Sequence, residues 1–146
     1  MRSKEASIRG QNSELTNEAT AGRAVIATTL VIALNAWIVP GLGHLLLGRW
    51  IRALGFFAAV GGLAVAGYAL RGEVFTAHSS DPFGKLGFIA DLGSGIFYWL
   101  SRYFEAAGPD ISRATGDYGT RFIAAAGVVN LLGVLDAYGI ASGRRG

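Results

Sequence analysis

Asn35-Ala36-Trp37-Ile38-Val39-Pro40-Gly41-Leu42-Gly43-His44-Leu45-Leu46-Leu47-Gly48-Arg49-Trp50 is the stretch on which the fold turns. It joins two runs without Asp, Glu, Lys or Arg, from Ala24 to Gly48 and from Ala53 to Leu70. A helix crossing the hydrocarbon of a bilayer needs about 20 such residues, and a run of about 18 is already a candidate. Pro40 removes a backbone donor, and Gly41 and Gly43 loosen the chain, so a helix ends or kinks there. The turn therefore lies at or near a membrane surface.

The composition agrees. The chain has 146 residues, of which 51 % are hydrophobic and 16 % charged, with 22 glycines. A soluble domain carries about a quarter charged residues and about 7 % glycine. Glycine here is scattered through apolar runs, as in transmembrane helices whose backbones approach closely. The absence of cysteine excludes disulfides, thiolate catalysis and cysteine metal sites. A net charge of +3 without clustered basic residues fits contact with lipid headgroups and not nucleic-acid binding.

These features predict an all-α integral membrane protein with four transmembrane helices in one bundle. Residues 1–22 are polar with mixed charge and read as a mobile tail. The membrane domain covers 23–141, with spans at about 24–47, 51–70, 83–104 and 122–140, and 142–146 form a basic tail. Gly108-Pro109-Asp110 marks a turn between the last two spans, and His78 sits in the polar loop before the third as a surface residue. Four spans place both termini on one side. Eight basic residues then share the side of the termini against five opposite, or six against five without the distant Arg2 and Lys4. This favours cytoplasmic termini by a narrow margin.

Small residues mark packing faces. Ala58, Gly62 and Ala66 recur every fourth residue in the second span. Gly87, Asp91 and Gly95 share a face in the third, as do Ala126, Asn130, Gly133 and Ala137 in the fourth. Asp91 and Asp136 are carboxylates within apolar runs, where ionisable groups mark partner contacts, relays or ion paths. Helix packing or a salt bridge to Arg49 or Arg52 is the plainer role. Asn35 and Asn130 can bridge helices. Arg49, Trp50 and Arg52 suit anchoring at phosphate level, and Trp99 and Tyr103 suit the interface. His44 invites a hydrogen bond to a carbonyl or headgroup, with axial ligation of haem or chlorophyll as the alternative chemistry. Its distance in sequence from His78 does not form a zinc motif.

The run Pro40-Gly41-Leu42-Gly43-His44 with Gly48-Arg49, Asp81-Pro82-Phe83, Ala90-Asp91-Leu92-Gly93, Asn130-Leu131-Leu132 and Leu135-Asp136-Ala137-Tyr138 resembles a family of small bacterial membrane proteins of unknown function, over roughly residues 35–141. The first part is also similar to the two-transmembrane-helix domain, in which a Gly-rich turn and a basic residue link two helices. It departs from that domain in having Leu46-Leu47 before Gly48 where an aromatic pair is usual. Neither resemblance implies an activity. The expectation is a non-catalytic accessory or assembly subunit in a bacterial cytoplasmic membrane, in contact with lipids and with other integral subunits or itself. It needs no cofactor. A small transporter or ion-conducting subunit using Asp91 is the alternative.

Overall fold

Pro40 does end the first helix. The computed structural model describes residues 2–75, 77, 81–105 and 113–144, so His78, the Gly108-Pro109-Asp110 turn and Arg145 lie outside the described residues. Among the described residues six helices follow one another: α1 (Arg2–Ile38), α2 (Leu42–Leu46), α3 (Trp50–Ala69), α4 (Pro82–Gly93), α5 (Ile96–Glu105) and α6 (Arg113–Ala141). Three of them, over Arg9–Ile38, Trp50–Ala69 and Gly116–Ala141, are long and apolar enough to cross a membrane. The chain is an all-α membrane protein.

The N-terminal segment is not a tail but the first half of α1. Its polar residues do not interrupt the helix, and the hydroxyls of Thr16 and Thr20 donate to the carbonyls one turn earlier, at 2.7 and 2.8 Å. No proline intervenes before position 40. At 37 residues α1 is about 55 Å long, well beyond the hydrocarbon thickness of about 30 Å. The first span does not run on to 47. After Ile38 the chain turns through Gly41, at φ 84°, into the separate five-residue α2.

Helix α6 is the centre of the bundle and packs against α3, α1 and α4. Gly67 and Gly72 approach Gly119 at one end of the α3–α6 seam, and Arg52 meets Asp136 at the other, so the two helices are antiparallel. Ile123, Ala126, Asn130 and Ala137 are buried along α6. On α3 the inward residues are Ala53, Val60, Ala64 and Gly67. The stripe of Ala58, Gly62 and Ala66 is a different face: Ala58 and Gly62 are exposed, and a Cβ at Gly62 meets no atom within 4 Å. Small residues occur on both sides of α3, and the side that also carries Phe56 and Val60 fills the seam.

The segment 83–104 is not one span. It breaks at Ser94-Gly95, where Gly95 takes φ 64° with its Cα against the carbonyls of Trp37 and Ile38, a position closed to any side chain. Helix α4 climbs beside α6, bringing Ala90 to Gly127 and Gly93 to Leu131. Helix α5 then descends beside α3, from Phe97 against Gly61 to Leu100 and Ser101 beside Val65 and Tyr68. Phe88 and Tyr98 meet edge to face across the two limbs, at 6.2 Å. With 12 and 10 residues, the limbs are about 18 and 15 Å long, each about half a hydrocarbon core. The result is three long helices plus a half-depth hairpin that enters and leaves at the Leu70 end. Consequently, the two ends of the described chain lie at opposite ends of the bundle.

Gly127 sets the distance between α4 and α6, since a Cβ there would overlap the Ala90 carbonyl. Alanine normally improves a helix by about 1 kcal/mol over glycine. Overpacking costs about 1–3 kcal/mol or more and here meets backbone, not a movable side chain. Gly127→Ala is therefore expected to lower the unfolding temperature in detergent, while Gly62→Ala leaves it unchanged or raises it. Equal behaviour of the two variants would refute the close approach.

Candidate functional site

Two polar clusters lie inside this framework. The first gathers around the hairpin tip. A helix end leaves carbonyls without partners, and at membrane depth water does not supply them. Each of the last three carbonyls of α4 has a donor. Ser94 gives both its amide (2.9 Å) and its hydroxyl (2.6 Å) to Asp91 O. Leu92 O accepts from Gly95 N at 3.2 Å and from the Trp37 indole at 3.1 Å. Gly93 O accepts from Asn130 Nδ2 at 2.8 Å.

Asn130 does more than that. Its Nδ2 also donates, at 3.0 Å, to Trp37 O in the last turn of α1. One carboxamide from the middle of α6 therefore closes two helix ends, those of α1 and α4. An amide suits the task because it offers two N–H donors, which a hydroxyl does not. Below the tip, Asp91 is fully buried and accepts from the backbone N–H of Phe75 at 2.7 Å. That bond ties the strap 72–75 to α4, and Glu73 N donates to Thr120 Oγ1 to tie the same strap to α6. Gly87 lies beside the Phe75 ring, one turn before Asp91.

The second cluster lies at the other end of α6. His44, fully buried on α2, donates from Nε2 to Asp136 Oδ2 at 3.0 Å. The same oxygen accepts from Arg52 Nη1 at 3.1 Å. Phe56 stacks on the His44 ring at 4.8 Å between centroids, and the absence of a side chain at Gly133 makes room for Phe56. Because Arg52 is 52 % exposed, its ion pair contributes no more than about 1 kcal/mol. The buried imidazole bond holds α2 against α6.

The expected residues thus fall into separate groups. Asn130, Asp91 and Gly95 meet at the hairpin, whereas Gly95 lies beyond α4 and not on its face. The partner of His44 is a carboxylate, not a carbonyl or headgroup, and Asp136 takes Arg52. Asn35 does not bridge helices: its amide donates back to Val31 O at 2.7 Å, within its own helix. Arg49 and Trp50 sit together at the α3 start, half-buried and exposed respectively, and Trp99 and Tyr103 point outward from the descending limb. With Nε2 bonded to Asp136 and Phe56 over the ring, that nitrogen of His44 is not open to a haem or chlorophyll in this packing. Among the described residues no group of three or more His, Cys, Asp or Glu could hold a metal ion.

Trp37, Ser94 and Phe56 were not singled out from sequence. Trp37 gave one signal, an indole N–H within an apolar run, which needs an acceptor when buried. Ser94 and Phe56 gave none. No curated protein and no solved structure matches this chain. A family model matches residues 31–146, which includes both clusters and leaves out the N-terminal part of α1. By this match the chain belongs to the family described as "Family of unknown function (DUF6677)".

Proposed function

We propose that this chain is a non-catalytic integral membrane protein that serves as an accessory or assembly subunit of a larger membrane complex, in a bacterial cytoplasmic membrane. The observation that carries this reading is the direction of its buried polar groups. Asn130, Trp37 and Ser94 bond backbone carbonyls, Asp91 holds a backbone amide, and His44 holds Asp136. All serve to fix this chain's own elements. Outward, α1 offers Val25, Ile26, Leu30, Val31 and Leu34, and α3 offers the smooth strip at Ala58 and Gly62. Such faces suit lipid or a neighbouring helix.

The test is purification from native membranes in mild detergent after light crosslinking. A partner at constant stoichiometry supports the accessory role, and a lone monomer with no crosslink overturns it. The hairpin favours a second reading, a small transporter or ion-conducting subunit. Discontinuous helices meeting near the midplane form the binding sites of many transporters, and Asp91 is buried three residues before the break. Ion flux through liposomes holding only this protein, lost in Asp91→Asn, would establish that reading in place of the first.

A further inference from the structure

The outer surface at the start of α3 carries two adjoining hollows. One, of about 320 Å³, is lined by Gly48, Arg49, Trp50, Ile51 and Arg52. The other, of about 340 Å³, is an open apolar groove between the Pro40 turn and α3, walled by Leu42, Leu45, Leu54 and Phe57 among others. Trp50 lines both. The groove follows α3 from Trp50 to Phe57, a rise of about 10 Å, so it begins beside the two arginines and leads into the hydrocarbon zone.

The charges are unequal here. Arg52 shares Asp136 with His44, whereas the half-buried side chain of Arg49 has no hydrogen bond or ion pair among the described residues. A guanidinium at the edge of the hydrocarbon favours an anionic partner, and phosphate matches its fork of donors. The groove wall is correspondingly apolar, with Leu45, Trp50 and Leu54 each more than half exposed.

We infer that this composite hollow binds one anionic phospholipid, its phosphate at Arg49 and Arg52 and one acyl chain along the groove. The charge at the mouth and the apolar wall below it match the two halves of that molecule. A free phosphate has no use for the groove, and a neighbouring apolar helix has no use for the guanidinium. The inference does not depend on the accessory role proposed above.

Native mass spectrometry of the detergent-solubilised protein tests it, with phosphatidylglycerol, phosphatidylcholine and inorganic phosphate as separate probes. One phosphatidylglycerol is expected to be retained in preference to phosphatidylcholine, with inorganic phosphate not competing. Loss of one interfacial arginine lowers such binding about fivefold. Arg49→Gln is therefore expected to reduce phosphatidylglycerol retention by about that factor, Arg49→Lys to restore part of it, and Arg23→Gln, on the far half of the molecule, to leave it unchanged. Equal retention of the two lipids, full retention in Arg49→Gln, or displacement by inorganic phosphate overturns the inference. Should Arg49→Gln fail to fold, the lipid comparison on the wild-type protein and on Arg49→Lys decides it.

Discussion

Replacing Asn130 by leucine is expected to destabilise the protein by about 2–6 kcal/mol, from two buried groups left unsatisfied at about 1–3 kcal/mol each. Leucine keeps the γ-branched shape of asparagine but is the larger side chain, so overpacking at this buried position adds to the cost of two carbonyls, Trp37 O and Gly93 O, left without their donor. An average interhelical hydrogen bond in a membrane contributes only about 0.6 kcal/mol, because the unfolded chain finds other partners. A buried polar group left unsatisfied costs about 1–3 kcal/mol, and two are orphaned here. The second effect dominates, since both carbonyls belong to helix ends that no neighbouring turn can serve. Detergent unfolding followed by tryptophan fluorescence measures it, with Trp37 as a reporter beside the lesion. A loss below about 1 kcal/mol would mean that the carboxamide is not what closes the hairpin.

The second large effect is all-or-none. With three crossings the ends of the chain lie on opposite sides of the membrane, where four would have placed them together. By sequence position the entry side of the hairpin carries Arg2, Lys4, Arg9, Arg23, Arg71, Lys85, Arg102, Arg113 and Arg121, and the other side Arg49, Arg52, Arg144 and Arg145. Nine against four, or seven against four without the distant Arg2 and Lys4, replaces the eight against five and six against five of the four-span count, so by the positive-inside rule the N-terminus is expected on the cytoplasmic side. The chain has no cysteine, so single cysteines placed at Ser13 and Arg144 report without background. In intact cells an impermeant maleimide is expected to label Arg144→Cys and to reach Ser13→Cys only after lysis. Identical labelling at both positions would restore an even number of crossings.

Much of this framework was legible. Pro40-Gly41 announced the first turn, because proline and a positive-φ glycine end a helix whatever surrounds them. The 3.6-residue period placed Ala126, Asn130, Gly133 and Ala137 on one face, and the structure buries that face. Arg52 was a named partner for a carboxylate of the spans, and Asp136 takes it. The hairpin was not legible. Its 22 residues have the length and apolarity of a crossing, and Gly93 and Gly95 are unremarkable among 22 glycines. What breaks the helix is tertiary: donors from α1 and α6 make an interruption tolerable at a depth where water does not. The two small-residue faces of α3 could not be ranked for a similar reason, since the choice between them rests on what each face meets: Phe56 of α3 fits at Gly133 of α6, and Phe97 of α5 comes against Gly61.

The closure of the tip also orders events in time. Gly93 leaves the ribosome 37 residues ahead of Asn130, its closing donor. A newly made α4–α5 segment therefore arrives with an acceptor still open and has no reason to settle at half depth alone. The hairpin is expected to be seated only once α6 is in place, although it is synthesised before α6.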